Sequence, residues 1–379
     1  MNLAFFHDHK FRFDGKQYYS TGGLSENALA RYSALFDNVA VYARVIPMAK
    51  DEKLSPITNE HVRIIDYRGA DLGREIAKSD FVVARIPSLV GIIAALKAKQ
   101  LKRKYLLEVV GCPWDALWNH SIRGKILALP MTLLMKLVVR NSPYVVYVTR
   151  RFLQKRYPTR GKSVAISNVD ISMKDADILE KRLSRIARRE SPLIIGTTAA
   201  LDVAYKGQRY VIEALGKLRR QGIERFKYEL VGSGDPAFLQ GISGQEGVAD
   251  LVEIIGPMPH GEVLRWLERV DVYIQPSKQE GLPRALIEAM SRGCLAFGSR
   301  TAGIPELLPE KYLFSKGSRK EIARLLKSVS IEEMTDAAKI NIDAANQYNR
   351  DVLNARRKEF FEQAMYETIG SDAHEKGDV

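Results

Sequence analysis

The stretch from Val272 to Ser299 reads VYIQPSKQEGLPRALIEAMSRGCLAFGS, and it decides the fold class of the chain. An apolar run ends before Pro276, a polar turn follows, and the helical pattern RALIEAM leads to a second apolar run, CLAFG. Both apolar runs are continuous rather than alternating, which predicts strands covered on both faces, as in a parallel sheet. A strand, a helix and a second parallel strand form a βαβ unit.

The same alternation of short apolar runs and helix-length amphipathic segments extends over the whole chain. Helices between continuous apolar strands predict further βαβ units, and therefore two doubly wound α/β domains. The strands are predicted at residues 3–6, 39–42, 62–65, 81–86, 105–110, 145–148, 193–197, 228–231, 252–255, 272–275 and 295–298.

The boundary between the two domains is predicted in a charged segment. With 379 residues, the chain has the length of two ordinary domains. The segment between Asn168 and Pro192 is dense in charge and precedes a new strand, so we expect a helical linker that opens the second domain. We place the first domain at residues 1–170 and the second at residues 171–344, and we expect one long charged helix at about 341–369.

The composition excludes several classes of protein. A hydrophobic share of 46% with 27% charged residues is ordinary for a globular protein and excludes a disordered or collagen-like chain. Two distant cysteines, Cys112 and Cys294, exclude a disulfide scaffold and argue against a Cys/His zinc cluster. No apolar run has the length of a spanning helix, and residues 1–10 lack the layout of a signal peptide. We therefore expect a cytoplasmic protein.

The net charge of +13 is concentrated in residues 97–162, which we call the basic region. It holds fifteen basic residues against two acidic ones, Glu108 and Asp115, and so accounts for the whole net charge. Such a region attracts phosphates or an anionic membrane surface. A solvated face that keeps the protein soluble is the alternative. We do not expect nucleic acid as a partner, since the sequence contains no nucleic-acid-binding motif.

Within the basic region, the segment Ile122–Arg140 reads IRGKILALPMTLLMKLVVR. It is an apolar helical segment punctuated by basic residues, and Pro130 predicts a kink or a break in it. A basic amphipathic helix can lie in a membrane interface. The other interpretation is a helix buried in the core of an α/β domain, and the sequence leaves both open.

Glycine-rich turns follow several predicted strands, and ligands of open α/β sheets bind at the carboxyl ends of strands. The turn Gly22-Gly23 precedes a helix whose N-terminus favours an anion. Lys206 follows the strand LIIGTT, where a lysine can neutralise a diphosphate. The turn Gly232-Ser233-Gly234 leaves room for a nucleotide. Each feature taken alone is equally consistent with an ordinary turn or a surface lysine.

The turn SKQEGLP carries the strongest signal. Glu280 precedes the helix RALIEAM, and Glu288 lies about two turns inside that helix. The helix N-terminus offers free N–H groups to an anion, while a carboxylate beside it can hold sugar hydroxyls. Glu288 is placed to accept two hydroxyl hydrogens from a ribose. The alternative is that Glu288 is an ordinary solvated helix residue.

In their order and spacing, these turns resemble the signature of the retaining GT-B glycosyltransferases of family 4, the glycosyltransferases group 1. The detailed match covers about residues 195–306, and the stretch EVVGCPWDALWNH resembles the bacterial polysaccharide-assembly members of that family. The matching motifs are Lys206-Gly207, Gly232-Ser233-Gly234, Val252 to Gly256, Pro276-Ser277, Glu280-Gly281, the spacing from Glu280 to Glu288, and Gly303-Ile304-Pro305-Glu306.

The resemblance implies two Rossmann-like domains that face a cleft. The first domain would lie on the acceptor side and the second would bind the nucleotide sugar, with a crossover helix at about 345–379 returning to the first domain. Glu288 would hold the ribose, Glu280 would contact the transferred sugar, and Lys206 would neutralise the diphosphate. The other implied contacts with the nucleotide sugar are Gly22, Gly23, Gly232, Gly234, Met258, Gly281, Leu282 and Arg284.

One departure from the family pattern concerns the diphosphate. Many relatives carry an arginine a few residues before the lysine, whereas here the preceding stretch, AALDVAY, contains no base. Arg209 follows Lys206 by one turn, and whether it substitutes is left open. The fold usually works without a metal, so we expect none, and we interpret Asp175 and Asp177 as helix-start acids.

The resemblance therefore predicts a retaining transfer of a sugar from a nucleoside diphosphate sugar, with UDP or GDP, and no cofactor. The predicted acceptor is a glycan, such as an oligosaccharide on polyprenyl diphosphate, in the assembly of bacterial lipopolysaccharide or capsule. Asp115 and His120 are the candidates that assist the acceptor. We expect a cytoplasmic enzyme held peripherally at the inner face of the cell membrane by the basic region. The alternatives are a nucleotide-sugar epimerase with the GT-B fold and a non-catalytic sugar-nucleotide binder.

Overall fold

The computed structural model describes residues 1–20, 22–49, 54–118, 122–173, 177–188 and 191–367. The chain divides into two compact units, one of Met1–Asn168 together with Asn354–Val379 and the other of Val169–Leu353. Each unit is an α/β domain built on its own sheet.

The sheet of the first unit has nine strands. The strands are β1 (Asn2–Phe13), β2 (Tyr18–Ser20), β3 (Asn38–Pro47), β4 (Ser55–Pro56), β5 (Val62–Asp66), β6 (Phe81–Ile86), β7 (Tyr105–Val109), β8 (Tyr144–Tyr147) and β9 (Lys162–Ala165). The helices between them are α1 (Glu26–Ser33), α2 (Leu72–Lys78), α3 (Leu89–Gln100), α4 (Pro113–Trp118), α5 (Ile122–Arg140) and α6 (Phe152–Arg156).

The parallel strands of this sheet run in the order β5-β3-β1-β6-β7-β8-β9, and β2 and β4 extend it with antiparallel pairs. Every residue of β6 and β7 is buried, which explains why these strands read as continuous apolar runs. The chain thus leaves β1 on one side toward β3 and on the other toward β6, as in a doubly wound sheet.

The second unit contains six parallel strands. Its elements are α7 (Ile178–Arg188), β10 (Leu193–Thr198), α8 (Gln208–Arg219), β11 (Phe226–Val231), α9 (Ala237–Gln245), β12 (Val252–Gly256), α10 (His260–Arg269), β13 (Val272–Gln275), α11 (Arg284–Ser291), β14 (Leu295–Ser299), β15 (Leu313–Phe314), α12 (Arg319–Lys327) and α13 (Ile331–Asn346). The last helix of the chain is α14 (Arg350–Tyr366).

The strands of the second unit are arranged as β12-β11-β10-β13-β14-β15. This is the doubly wound order 3-2-1-4-5-6, in which the connections reverse between the first and the fourth strand. That reversal falls between β10 and β13, and it creates a crevice at their carboxyl ends.

The segment expected to be a linker is instead a packed helix of the second unit. Arg182 of α7 is buried and donates hydrogen bonds to the carbonyl oxygens of Leu267, Val270 and Arg292, each at 2.8 Å. The high charge of the segment indicated an exposed linker. The prediction was wrong because the charged side chain of Arg182 is buried and bonds to backbone carbonyl oxygens. The change of unit falls between Asn168 and Val169.

The single helix expected at 341–369 is wrong in its extent, because two helices, α13 and α14, meet there. Asn349 forms a parallel bridge with Ile171, and the N–H of Arg350 donates to the Ile171 carbonyl oxygen at 2.9 Å. This pairing takes the backbone out of the helical path between the two helices. Phe361 of α14 is buried beside Tyr32 and Phe36 of the first unit.

Pro130 does not break α5, which runs from Ile122 to Arg140. Pro130 is exposed, so its ring faces solvent rather than packed chain. The short strands β2, β4, β9 and β15 were not predicted from the sequence, since they have only two to four residues each.

Candidate functional site

The crevice between β10 and β13 brings together two turns that are far apart in sequence. Lys206 lies in the turn after β10, and Glu280 lies in the turn after β13. Gly207 has a φ of +79°, and a Cβ atom there would lie 2.2 Å from the carbonyl oxygen of Pro276. The N–H of Lys278 donates to the Tyr205 carbonyl oxygen at 2.7 Å. Glycine thus permits a backbone approach that a side chain would prevent.

Three donors converge on one oxygen of Glu280. Its Oε1 accepts from Lys206 Nζ at 2.7 Å, from Ser277 Oγ at 2.7 Å and from Gln275 Nε2 at 3.1 Å. The side chains of Glu280 and Lys206 are 11% and 23% exposed, so water screens this ion pair only in part. Among the described residues, all three of these contacts use Oε1 and none uses Oε2.

A chain of hydrogen bonds links this carboxylate to β10. Gln275 donates to Ser277 Oγ at 2.9 Å, and its own Oε1 accepts from the Tyr273 hydroxyl at 3.2 Å. The Tyr273 hydroxyl in turn accepts from the N–H of Thr198 at 3.2 Å. Burial raises the pKa of Tyr273, so this hydroxyl stays protonated. The orientation of Glu280 is therefore fixed by the sheet itself.

The Gly303-Ile304-Pro305-Glu306 turn supports the Glu280 turn from behind. The N–H of Gly303 donates to the Gly281 carbonyl oxygen at 2.9 Å. Nearby, the Thr301 hydroxyl donates to the Lys278 carbonyl oxygen at 3.2 Å, and the Ser299 hydroxyl donates to that of Ser277. This motif stabilises the conformation of the site.

Helix α11 begins directly after the turn that contains Glu280. Its N-cap is Pro283, and no side chain among the described residues caps it. The first N–H groups of the helix are therefore available to an anion, and the helix dipole favours negative charge there. Gly281 and Leu282 precede the helix and Arg284 begins it, as the sequence predicted. Their contacts with phosphates stay predictions.

Glu288 is 8% exposed, so it is not a solvated helix residue. Its Oε1 lies 3.2 Å from Nε2 of His260, the first residue of α10. The hydrogen bond that His260 donates to Glu288 raises the pKa of His260 against the opposing effect of burial. His260 is a residue of the site that sequence reasoning missed. Its position at the start of a helix, after the Pro257-Met258-Pro259 turn, was the available signal.

The turns after β11 and β12 meet beside this helix start. The N–H of Gly232 donates to the carbonyl oxygen of Gly256 at 2.9 Å. A Cβ atom on Gly234 would lie 2.4 Å from Asp202 Oδ1. Met258 is half-buried between β12 and α10. The predicted nucleotide contacts of Gly232, Gly234 and Met258 remain predictions.

Arg209 is engaged in a contact of its own. Its Nε and Nη2 donate to Glu213 Oε1 at 3.0 and 2.8 Å, and this raises the pKa of Arg209. Its guanidinium carbon lies 5.4 Å from the ring centre of Tyr210 and 5.9 Å from that of Phe238. The carboxylate of Glu213 therefore already neutralises the Arg209 guanidinium. A diphosphate would have to compete with Glu213 if Arg209 were to replace the arginine that many relatives carry before the lysine.

In the first unit, the Gly22-Gly23 turn packs on β1 at His9. Gly22 has a φ of +104°, and its N–H donates to Ser20 Oγ at 3.1 Å. A Cβ atom on Gly23 would lie 3.2 Å from the ring of His9. The turn therefore covers an imidazole, and its approach to a diphosphate stays a prediction.

His7 and His9 share one face of β1, and sequence reasoning missed both. Nδ1 of His7 is buried and has no hydrogen-bond partner among the described residues. Burial and the positive charge of Arg85 hold the pKa of His7 well below its ordinary value, and they lower that of His9 to about 4. Both imidazoles are therefore neutral at pH 7.

Of the two residues that were predicted to assist the acceptor, the structure describes Asp115 but not His120. Asp115 of α4 pairs with Arg156 Nη1 at 3.7 Å. His120 lies outside the described residues. Trp114 and Trp118, which flank Asp115 in the sequence, stack on each other with ring centres 5.0 Å apart.

The acids that we assigned to a helix start are partly described. Asp177 binds Lys181 at 2.7 Å just before α7, and Asp175 lies outside the described residues. In the part of the chain that the structure describes, no group of three or more His, Cys, Asp or Glu residues is arranged to hold a metal ion.

Comparisons with known proteins give a consistent result. Residues 181–347 match the family described as "Glycosyl transferases group 1". The chain is 32% identical over 348 residues to Protein CapJ of Staphylococcus aureus, with 87% of this chain and 86% of CapJ covered. It is 34% identical over 149 residues to the amylovoran biosynthesis glycosyltransferase AmsK of Erwinia amylovora, covering 37% and 36% of the two chains.

The fold is also similar to solved structures. Anabaena HepE in complex with UDP superposes with a TM-score of 0.69 at 16% identity, over 96% of this chain and all (100%) of that chain. The prediction of an α/β fold with two parallel-sheet domains of the GT-B type is confirmed.

Proposed function

Because the chain belongs to the glycosyl transferases group 1 family, we propose that it transfers a sugar from a nucleoside diphosphate sugar to a glycan acceptor with retention of configuration. The observation that carries this proposal is the meeting of Lys206, Glu280 and the start of α11 at the crevice between β10 and β13. Such crevices are where doubly wound sheets bind nucleotides.

The donor is a UDP or GDP sugar bound by the second unit. HepE, which has a similar fold, was solved with UDP and with UDP-glucose, which supports a uridine nucleotide. Buried Glu288 accepts the ribose hydroxyls, and the free N–H groups at the start of α11 bind the diphosphate. The base lies by the turn that contains Met258.

Lys206 and Glu280 act on the bond that breaks. The ammonium group of Lys206 neutralises the diphosphate as its charge develops, and Glu280 Oε2 binds the transferred sugar. The ion pair holds the Lys206 ammonium group next to the Glu280 carboxylate. In this proposal the ammonium group is therefore already in position when the donor sugar binds to that carboxylate. Because Glu280 already compensates one positive charge, the diphosphate must share Lys206 with that carboxylate.

Transfer proceeds on one face of the sugar. The acceptor hydroxyl attacks the anomeric carbon from the side on which the diphosphate leaves, and the bond from that carbon to the diphosphate oxygen breaks. The hydroxyl proton passes to the departing diphosphate oxygen. Asp115 and His120 remain candidates that assist the acceptor, and neutral His7 and His9 in the middle of β1 can accept a hydrogen bond from it.

No metal or cofactor takes part in this proposal. Lys206 and the helix N–H groups supply the charge stabilisation that a divalent ion gives in other transferases. Asp177 forms an ion pair with Lys181 at the start of α7, so we assign its carboxylate to that helix and not to a metal ion.

The acceptor is an oligosaccharide on polyprenyl diphosphate in bacterial surface polysaccharide assembly, and the basic region holds the enzyme at the cytoplasmic face of the membrane. AmsK, a partial relative, is an amylovoran biosynthesis glycosyltransferase, which supports a polysaccharide product. A lipid-linked acceptor also explains why the net charge is concentrated in one region.

A donor screen followed by a product assay tests this function. Thermal shifts with UDP and GDP sugars identify the donor, and mass spectrometry then follows the donor with lipid-linked oligosaccharide extracts. We expect release of nucleoside diphosphate together with a glycosylated acceptor. Conversion of the donor to an epimer would support the epimerase instead. Donor binding without any product would support a non-catalytic binder.

A further inference from the structure

Helix α5 exposes a row of large aliphatic side chains, while its buried face holds small residues in its first half and Met135, Val138 and Val139 near its end. Five aliphatic side chains on it are more than half exposed, namely Ile126, Leu127, Leu129, Leu133 and Leu137. Its buried positions include Gly124, Ala128 and Thr132. A helix that faces water normally carries polar side chains on its exposed face.

Helix α3 also exposes large aliphatic side chains, although its buried face holds Val90 and Ile92 together with small residues. Leu89, Ile93 and Leu96 lie on one face of the helix at helical spacing and are each more than a third exposed, while Ala94 and Ala95 are buried. Helices α3 and α5 contact each other. We call the exposed aliphatic side chains of the two helices the leucine face.

Basic residues accompany the leucine face. Lys97 and Lys99 on α3 and Lys125, Lys136 and Arg140 on α5 are exposed. Neither helix contains an acidic residue. The two acids of the basic region lie elsewhere, since Glu108 is buried against Arg85 and Asp115 pairs with Arg156. The surroundings of the leucine face are thus complementary to an anionic surface.

An aromatic pair lies near the start of α5. Trp118 is 44% exposed, and Lys125 Nζ lies 5.6 Å from its ring centre. Trp114 stacks on Trp118. Tryptophan and lysine side chains together are typical of the boundary between lipid headgroups and acyl chains.

Three occupants could cover such a face: the protein core, a second copy of the chain, or a lipid bilayer. The core is excluded, because the leucines are exposed within a unit that already packs the other side of both helices. A second copy would bring two sets of exposed basic residues together, which is repulsive. A bilayer with anionic headgroups satisfies both the leucines and the lysines.

We propose that the leucine face of α3 and α5 inserts into the interfacial layer of an anionic membrane, so that the enzyme is held by apolar contacts as well as by charge. No helix among the described residues is long and apolar enough to cross a membrane, so both helices lie along the surface. The inference rests on the proposed function, which places the enzyme at the anionic cytoplasmic face of the cell membrane. It deepens that function by naming the protein surface that binds the membrane.

Insertion and electrostatic adsorption respond differently to salt. Charge attraction is screened by salt, whereas burial of leucine side chains is not. We therefore expect the protein to float with vesicles of phosphatidylcholine and phosphatidylglycerol, and a substantial fraction to stay bound at about 0.5 M NaCl, where the screening length is a few ångströms.

Two sets of variants separate the contributions. Leu133→Ser with Leu137→Ser should weaken vesicle binding at least about tenfold at low and high salt, since each leucine loses its transfer into the apolar layer. Lys97→Glu with Lys136→Glu should weaken binding only at low salt. Ile340→Ser, an exposed apolar residue of the second unit, is the matched control and should bind like the wild type.

Tryptophan fluorescence reports insertion directly. Trp114 and Trp118 should be quenched by brominated acyl chains, and the quenching should disappear in the double leucine variant. Circular dichroism melts establish that the variants fold, which these exposed positions permit.

Three results would overturn the inference: wild-type binding by the folded leucine variant, release of all bound protein by salt without quenching, or a vesicle-free dimer that the leucine variant abolishes. Sugar transfer to a water-soluble acceptor is measured in parallel. Because the leucine variants keep the donor site, transfer to the soluble acceptor tests the proposed function and vesicle binding tests this inference, so the failure of one is distinguished from the failure of the other.

Discussion

Replacement of Glu288 by alanine should weaken nucleotide binding more directly than any other single change. The carboxylate is 8% exposed and belongs to the fifth residue of α11, just over one turn from its start, so water cannot take over its hydrogen bonds with a bound ribose. A hydrogen bond to a charged group contributes about 1.5–3 kcal/mol. Loss of even one such bond raises the dissociation constant about tenfold or more, since 1.4 kcal/mol corresponds to a factor of ten.

The cost of this substitution to folding should be small. Among the residues that the structure describes, the side chain of Glu288 has His260 as its partner, and the His260 side chain is 46% exposed and can be solvated instead. Binding and stability can therefore be separated. Glu262→Ala on α10, where the side chain is 52% exposed, is the matched control.

Isothermal titration calorimetry compares the affinities of both proteins for UDP and for 2′,3′-dideoxy-UDP. If the donor screen selects a guanosine nucleotide, GDP and its dideoxy form are used instead. Wild type should lose affinity for the dideoxy nucleotide, whereas Glu288→Ala should bind both nucleotides equally weakly. If Glu288→Ala and the wild type bind UDP with the same affinity, the assignment of Glu288 to the ribose is refuted.

Four further predictions follow from the contacts of the described residues. Glu280→Gln should lower turnover about a hundredfold, as loss of a preorganised polar group typically does, and leave affinity for free nucleoside diphosphate nearly intact; equal losses in turnover and calorimetry would place Glu280 on the nucleotide. Activity in EDTA should stay within about twofold of the untreated enzyme; abolished activity that Mg²⁺ or Mn²⁺ restores would contradict this. The pKa of His260 is raised in the folded protein, so its stabilisation is present below pH 6.5 and is lost as the pH rises through the raised value; urea unfolding should show a difference of under ~1 kcal/mol between wild type and His260→Gln at pH 6 that vanishes at alkaline pH, and a constant difference would contradict the assignment. Glu108→Ala should destabilise the protein by about 3–5 kcal/mol because it leaves buried Arg85 without its carboxylate, and an unchanged urea midpoint would contradict it.

Elements buried on both faces were the most predictable from the sequence. The strands Phe81–Ile86 and Val272–Gln275 have the predicted bounds, because every residue in them is apolar or buried and polar residues or turns flank them. The break between α13 and α14 could not be predicted, since it depends on the pairing of Asn349 with Ile171, far away in sequence.

The sequence indicated some residues of the candidate site but not their contacts. The position of Glu280 and Glu288 around a helix start, together with the family resemblance, singled them out, but the ion pair with Lys206 spans 74 residues and arises from the neighbouring positions of β10 and β13. His260 carries no pattern of its own, because one histidine after a proline turn is common. Its role depends on the packing of α10 beside α11.

The faces of α5 were also beyond sequence reasoning. A run of leucines with scattered lysines fits a core helix and an interfacial helix equally well, and the exposure of Leu133 and Leu137 beside buried Met135 and Val138 shows that α5 has one face of each kind. Gly124 and Ala128 allow close packing against the domain in the first half of the helix.

The central claim is that the second unit binds the donor between Glu280 and Glu288, and a crystal structure of the protein with its nucleoside diphosphate sugar tests it most directly. We expect the ribose hydroxyls within about 3 Å of the Glu288 carboxylate, the usual hydrogen-bond distance. The diphosphate should contact Lys206 and the first N–H groups of α11. A nucleotide bound elsewhere, with Glu280 and Glu288 free of it, would contradict the account.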